Sequence, residues 1–175
     1  MSADLGSFIR DIPDFPKAGI VFKDITPLMA DAGALDAAVL ALAQYARPLD
    51  VEVVIAAEAR GFLLGAALAR ELGAGFVLAR KPGKLPSETV RAEYQLEYGV
   101  DALELHSDAV AHGARVLVHD DLLATGGTAV ALCSLVEQLR GRVVGCAFLI
   151  ELAFLHGRER LAGRDVFSLL SYDEG

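Results

Sequence analysis

Apolar positions recur along the chain in two periods. Between residues 31 and 47, Leu35, Val39, Leu40, Leu42 and Ala43 fall at helical spacing, which predicts an amphipathic helix. Pro48 ends it, because proline disfavours helical geometry in the residue before it. Residues 51–57 (VEVVIAA) read as a buried strand, 62–72 as a helix with Gly73 as its stop, and 76–79 as another short strand. The period then switches to alternation. Val90, Ala92, Tyr94 and Leu96 are separated by Arg91, Glu93, Gln95 and Glu97, the signature of a half-exposed strand. Tyr98-Gly99-Val100-Asp101 offers a turn and 102–106 a return strand, so a hairpin is expected to protrude from the sheet. Val116-Leu117-Val118 make a buried strand, and a helix follows with Val130, Leu132, Leu135, Val136 and Leu139 on its apolar face. A strand at 143–152, a short helix around 155–162 and a last strand at 166–170 complete the pattern. Residues 1–27, which include Pro13, Pro16 and Pro27, are expected to wrap the domain as irregular structure. Helices alternating with apolar strands predict an α/β fold with a mainly parallel central sheet flanked by helices. Ligands of such sheets gather at the carboxyl ends of the strands, where Glu58, Arg60, Asp120 and Asp121 fall.

Length and charge narrow the function. The 175 residues suit one domain, 1–175, enough to bury about 70% of the unfolded chain's surface. The net charge of −8 lacks the broad basic footprint of a nucleic-acid binder. No apolar run approaches the ~20 residues needed to cross a bilayer, and the N-terminus has neither a basic start nor a long apolar stretch, so no secretory signal and no membrane partner are expected. Cys133 and Cys146 lack CxxC spacing and read as buried free thiols of a reducing, cytoplasmic protein. The histidines at 106, 112, 119 and 156 show no metal-ligand spacing. The cluster Arg80-Lys81-Pro82-Gly83-Lys84 is basic within an acidic chain; a small anionic ligand and a solvated loop both account for it.

Residues 116–129 read VLVHDDLLATGGTA. A strand, a glycine-rich turn and a helix put free backbone N–H groups and a positive helix end around an anion, yet two adjacent acids would repel a bare phosphate. The P-loop pattern and the GxGxxG dinucleotide fingerprint are both absent. A ligand carrying a phosphate and vicinal hydroxyls reconciles the two halves. Backbone N–H groups with the Thr125 and Thr128 hydroxyls would hold the phosphate, while Asp120 and Asp121 would accept from the sugar or approach a hydrated Mg2+. Taken alone, the glycine pair is equally a tight turn.

The same stretch resembles the phosphoribosyl-pyrophosphate signature of the type I phosphoribosyltransferases. With EARGFLLG (58–65), RKPGKLP (80–86), LEYG (96–99) and FPKAGIVFKDITP (15–27), the chain is similar to the adenine branch of that family over nearly all its length. The resemblance implies the type I phosphoribosyltransferase fold, with an N-terminal hood over 1–27 that binds the base and a flexible catalytic hairpin over 80–106. It implies transfer of phosphoribosyl from phosphoribosyl pyrophosphate (PRPP) to adenine, giving AMP and pyrophosphate in purine salvage, in a cytoplasmic homodimer. Mg2+ would be carried by PRPP and water, without a direct protein ligand. Ala124, Thr125, Gly126, Gly127 and Thr128 would hold the 5-phosphate, and Asp120 and Asp121 the ribose hydroxyls. Arg60, Arg80, Lys81 and Lys84 would meet the pyrophosphate, with Arg60 close to the reacting centre. Phe22 and Leu122 would sandwich the base, the backbone of Val21 and Lys23 would read its edge, and Glu97 would handle its proton.

Bland readings stand beside these roles: Phe22 as ordinary core, Glu97 as an exposed strand residue, Arg60 as a structural pair. A relative acting on another purine and a regulator that senses PRPP without catalysis share the motifs. Two positions depart from the family. Lys23 stands where arginine is common, and His119 where an aliphatic residue is usual. His119 reads first as a tolerated, hydrogen-bonded replacement; on the rival reading the two carboxylates beside it would favour its protonation and make activity pH-sensitive near neutrality.

Overall fold

The computed structural model describes residues 4–95 and 100–174. A single 3-10 turn leads into β1 (Arg10–Pro13), which pairs antiparallel with β2 (Val21–Asp24); short α1 (Thr26–Ala30) and long α2 (Ala32–Ala46) follow. The segment expected to be irregular therefore contains a hairpin and the start of a helix. Asp31 opens α2 by accepting the Ala34 N–H at 2.8 Å, satisfying one of the helix's unpaired donors. Next come β3 (Val53–Ala57), α3 (Gly61–Leu72) and β4 (Gly75–Ala79), and then the hairpin β5 (Thr89–Gln95) and β6 (Val100–His106). The chain closes with β7 (Arg115–Leu123), α4 (Gly127–Gln138), β8 (Arg142–Leu152) and β9 (Val166–Tyr172).

Among the described residues the central sheet has the order β4-β3-β7-β8-β9, and every neighbouring pair is parallel. Strand pleat sorts its side chains onto two faces. Val54, Leu117 and Ala147 pack with Leu42, Ala43, Ala46 and Leu68 of α2 and α3. Ile55, Val116, Val118, Cys146 and Phe148 pack with Leu132, Leu135 and Val136 of α4 and with Leu103 and Leu105 of the β5–β6 hairpin. That hairpin joins the sheet's end through an antiparallel bridge between Arg80 and Glu104.

Several boundaries differ from the sequence pattern. β7 does not stop at its acids: Asp120 lies in register with Phe148 and Leu122 with Ile150, since apolar Leu122 and Leu123 still have a sheet neighbour to pair with. Val100 and Asp101, expected in a turn, belong to β6 opposite Gln95 and Tyr94; Tyr98 and Gly99 lie outside the described residues. The helix expected near 155–162 is two 3-10 turns, Ala153–Leu155 and Gly157–Leu161.

Candidate active site

The carboxyl ends of β3 and β7 meet the start of α3, the loop after β4 and the inner face of the β5–β6 hairpin around a cavity of about 210 Å3. Its walls include Glu58, Arg60, Lys81, Tyr94, Asp120, Asp121 and Thr128. Parallel strands put these groups here, because their carboxyl ends all open on the same edge of the sheet. Five residues chosen from separate motifs thus share one space: Arg60, Lys81, Asp120, Asp121 and Thr128.

The acids are constrained on both sides. Arg60 Nε lies 2.9 Å from Asp121 Oδ2, and Asp120 Oδ1 accepts the Asp121 N–H at 3.0 Å. Burial, and then the charge of Asp121, push the Asp120 carboxyl well above the usual carboxylate range. Burial raises Asp121 as well, with Arg60 opposing. Two carboxyls so placed favour ligands that donate hydrogen bonds or bring positive charge. Gly61 makes this geometry possible: a Cβ there would stand 2.7 Å from Asp120 Oδ1.

The basic groups divide. The Lys81 ammonium is held by Asp101 and by the Tyr94 hydroxyl, the latter at 3.0 Å. Burial alone would lower its pKa, but these partners raise it, and Lys81 in turn holds Asp101 low. Arg80 turns to Glu58, Nε to Oε2 2.6 Å; burial would raise Glu58, yet Arg80 and the Lys81 N–H hold it below the usual range. Neither Arg80 nor Lys84 lines the cavity. Tyr94 had no signal beyond strand alternation and Asp101 read as a turn residue; only the β5–β6 register, which sets them opposite each other, reveals their relation to Lys81.

The loop Ala124–Thr128 turns from β7 into α4. Gly126 takes φ +84° and caps the helix, a left-handed conformation that side chains resist. Its back rests on the 3-10 segment: a Cβ at Gly126 would meet Gly157 O at 2.6 Å, and one at Gly157 would collide with Ala124 O. The support from Gly157 has no motif in the sequence.

The residues expected to hold a base lie beside the cavity. The Arg60 guanidinium carbon stands 4.9 Å from the Phe22 ring centroid, so Phe22 is a cation–π neighbour rather than sealed core. Half-buried Leu122 packs on the cluster of Ile25, Leu28 and Leu64. The Lys23 side chain is directed to Asp11 and Tyr172, leaving its backbone as the part in line with Val21. Glu97 lies outside the described residues. His119 is the hydrogen-bonded replacement and not the protonated ring: it is fully buried, its Nδ1 lies 2.9 Å from Ala147 O, and burial lowers its pKa to about 4. Desolvation outweighs the hydrogen bond to Ala147 O, so the ring is neutral near pH 7.

A larger depression of about 460 Å3 lies between the ends of β8 and β9. Its charges are engaged with each other: Arg158 grips Glu151 through two contacts, 3.0 and 2.5 Å. It is not the site that the motifs converge on.

The phosphoribosyl transferase domain family model matches residues 30–168. An adenine phosphoribosyltransferase of Rubrobacter xylanophilus is 61% identical, over 95% of this chain and 90% of its own. The crystal structure of adenine phosphoribosyltransferase from Thermoanaerobacter pseudethanolicus superposes with a TM-score of 0.95 at 53% identity, covering 98% of this chain and 100% of its own. That of Saccharomyces cerevisiae, complexed with an imino-altritol bisphosphate and adenine, gives a TM-score of 0.92 at 38% identity, covering 97% and 98%.

Proposed function

This chain belongs to the adenine phosphoribosyltransferase family and transfers the 5-phosphoribosyl group of PRPP to adenine, giving AMP and pyrophosphate; we propose that it does so in the cytoplasm, as a Mg2+-assisted homodimer, through the cavity between β3 and β7. The observation that carries the assignment of roles is the meeting of Arg60, Lys81, Asp120, Asp121 and Thr128 around one space.

Breaking the bond from the anomeric carbon to pyrophosphate leaves positive character on the sugar and negative charge on the leaving group. Arg60 and Lys81, both lining the cavity, are the cations that meet that negative charge, most effectively once water is excluded. Asp120 and Asp121 accept from the ribose hydroxyls, and the backbone N–H groups at the start of α4, with Thr125 and Thr128, hold the 5-phosphate. Arg80 and Lys84 join the pyrophosphate when the loop of 80–106 moves, Arg80 by exchanging Glu58 for phosphate. The base lies between Phe22 and Leu122, with its edge on the backbone of Val21 and Lys23. Glu97, two residues after Gln95 in the sequence, handles the proton of the ring.

The donor set fits a metal carried by the substrate. Among the described residues no three His, Cys, Asp or Glu side chains cluster as a metal cage, and the adjacent carboxyls suit a hydrated Mg2+, which keeps its waters readily. Bound to PRPP, Mg2+ supplies neutralisation of the leaving group's charge. Support for the dimer comes from Leu63 on α3 and Leu78 on edge strand β4, 49% and 43% exposed, next to the loop carrying Arg80. Among the described residues no helix is long and apolar enough to cross a membrane.

Initial rates with PRPP, Mg2+ and each of adenine, hypoxanthine, guanine and xanthine test this reading. Strong preference for adenine with AMP as product is expected. Preference for another base would overturn the reading of the base site, and tight PRPP binding without turnover would mark a sensor. Sedimentation of Leu63→Glu with Leu78→Glu tests the dimer; an unchanged sedimentation coefficient would remove that face from the interface.

A further inference from the structure

The strand proposed to read the base has a second side. Phe22 faces Arg60, a wall of the cavity, while the next residue, Lys23, sends its side chain the other way, as the pleat requires. That side chain is only 7% exposed. Its ammonium lies 2.7 Å from Asp11 Oδ1 and 4.0 Å from the centroid of the Tyr172 ring. Asp11 is the cross-strand partner of Lys23 in β1, and Tyr172 is the last residue of β9, packed against the cluster of Leu5, Ile25 and Leu28. One buried charge therefore fastens both strands of the N-terminal hairpin to the end of the central sheet.

The hairpin needs such a fastening. Among the described residues β1 and β2 form a sheet of their own, hydrogen-bonded to no other strand, and an isolated two-stranded hairpin is marginal in water. Its connecting loop exposes Phe15 and Ile20. A buried ammonium is costly unless it is partnered, so its carboxylate and its aromatic face hold it in one place, and with it the main chain of β2. A Lys–aromatic contact removed from water is stronger than one at the surface.

We propose that Asp11 and Tyr172 are positioning residues for base binding: acting through the Lys23 ammonium, they set the height at which the main chain of Val21 to Lys23 stands over the cavity. Neither touches substrate. This rests on the reading of β2 as the base-reading strand, and it makes base affinity depend on the last strand of the chain, while the PRPP half of the site, built on β3, β7 and α4, is independent of the fastening.

The test measures KM for adenine, KM for PRPP, kcat and Tm in Asp11→Asn, Tyr172→Leu, Tyr172→Phe, Lys23→Met and Lys23→Arg. In Tyr172→Leu and Lys23→Met the KM for adenine should rise about tenfold, with KM for PRPP and kcat within about twofold of the parent. Asp11→Asn should shift in the same sense. Tyr172→Phe, which keeps the ring, and Lys23→Arg, which keeps the charge, should restore the parent KM for adenine. Equal shifts in both KM values, no shift in either, or a Tyr172→Phe protein as impaired as Tyr172→Leu would overturn the proposal. If Lys23→Met does not fold, Asp11→Asn decides, because the Asp11 side chain is 59% exposed and its loss leaves the core intact. Should the parent enzyme prefer another base, the base reading fails by itself, and the KM of that base then reports on the fastening.

Discussion

Replacing His119 by valine separates burial from charge as the force acting on the strand that carries the acids. The ring is fully buried beside Ala56 of β3 and Ala147 of β8. Its Nδ1–H donates to Ala147 O at 2.9 Å, and Nε2 has no partner. An unpaired buried nitrogen costs about 1–3 kcal/mol, and protonating it in place would cost more. Burial therefore lowers the pKa from 6.5 to about 4. For a base whose folded pKa is depressed, the unfolded chain takes up the proton first. Stability is fully present above 6.5 and is lost as pH falls from there towards about 4. At about 1.4 kcal/mol per unit, the window amounts to about 3 kcal/mol. Valine fills much of the same space, carries no proton and leaves no nitrogen unpaired. Urea unfolding of both proteins at intervals between about pH 7 and pH 4 measures the difference directly, because the titrating carboxylates are common to both. The stability gap in favour of His119→Val should widen by about 3 kcal/mol on acidification, while the two pH–rate profiles coincide above 6.5. Parallel stability curves would refute the reasoning and return His119 to a charged role beside the acids.

Other outcomes follow from the geometry of the cavity. Gly61→Ala places a methyl 2.7 Å from Asp120 Oδ1 and should lower kcat/KM for PRPP by about 10²-fold with an unchanged circular dichroism spectrum; parent-like kinetics would show that Asp120 is free to move. Lys81→Ala should cut kcat by about 10²-fold while AMP binding, measured by calorimetry, barely changes. Lys84→Ala, whose contact with pyrophosphate forms only when the loop moves, should cost less, about tenfold, and equal losses in the two variants would count against a special place for Lys81. Asp120→Asn and Asp121→Asn should each weaken the use of PRPP and leave the fold intact, Asp121→Asn also releasing Arg60; loss of cooperative unfolding in either would make the acids structural.

What the sequence revealed followed from how local each cause is. Helix α2 was legible because its apolar stripe and Asp31 cap lie within one segment. The meeting of Arg60 with the acid pair was legible through position, since both sit near the carboxyl ends of parallel strands. The engagement of Lys81 by Asp101 and Tyr94 was not, because it depends on which residue of β5 faces which of β6. The length of β7 was misjudged for a related reason: whether Leu122 and Leu123 remain strand is decided by their neighbour β8. At His119 the hydrogen-bonded replacement held and the protonated rival failed, because proximity in sequence to two carboxylates says nothing of which face of the sheet a side chain enters.

The contact between Gly126 and Gly157 bears on the order in which the molecule is made. Glu58, Arg60, Asp120 and Asp121 belong to strands and turns complete by residue 123, and the β3–β7 hydrogen bonds that unite them involve no later residue. The phosphate loop is different: its outer wall is the main chain at Gly157, which arrives only after β8 has been laid down. Domains grow from the N-terminus during synthesis, so a nascent chain gathers its sugar-facing acids before its phosphate cradle has a back. Phosphate binding thus becomes a property of chains extended past Gly157, and PRPP added to growing chains would select those that have passed it.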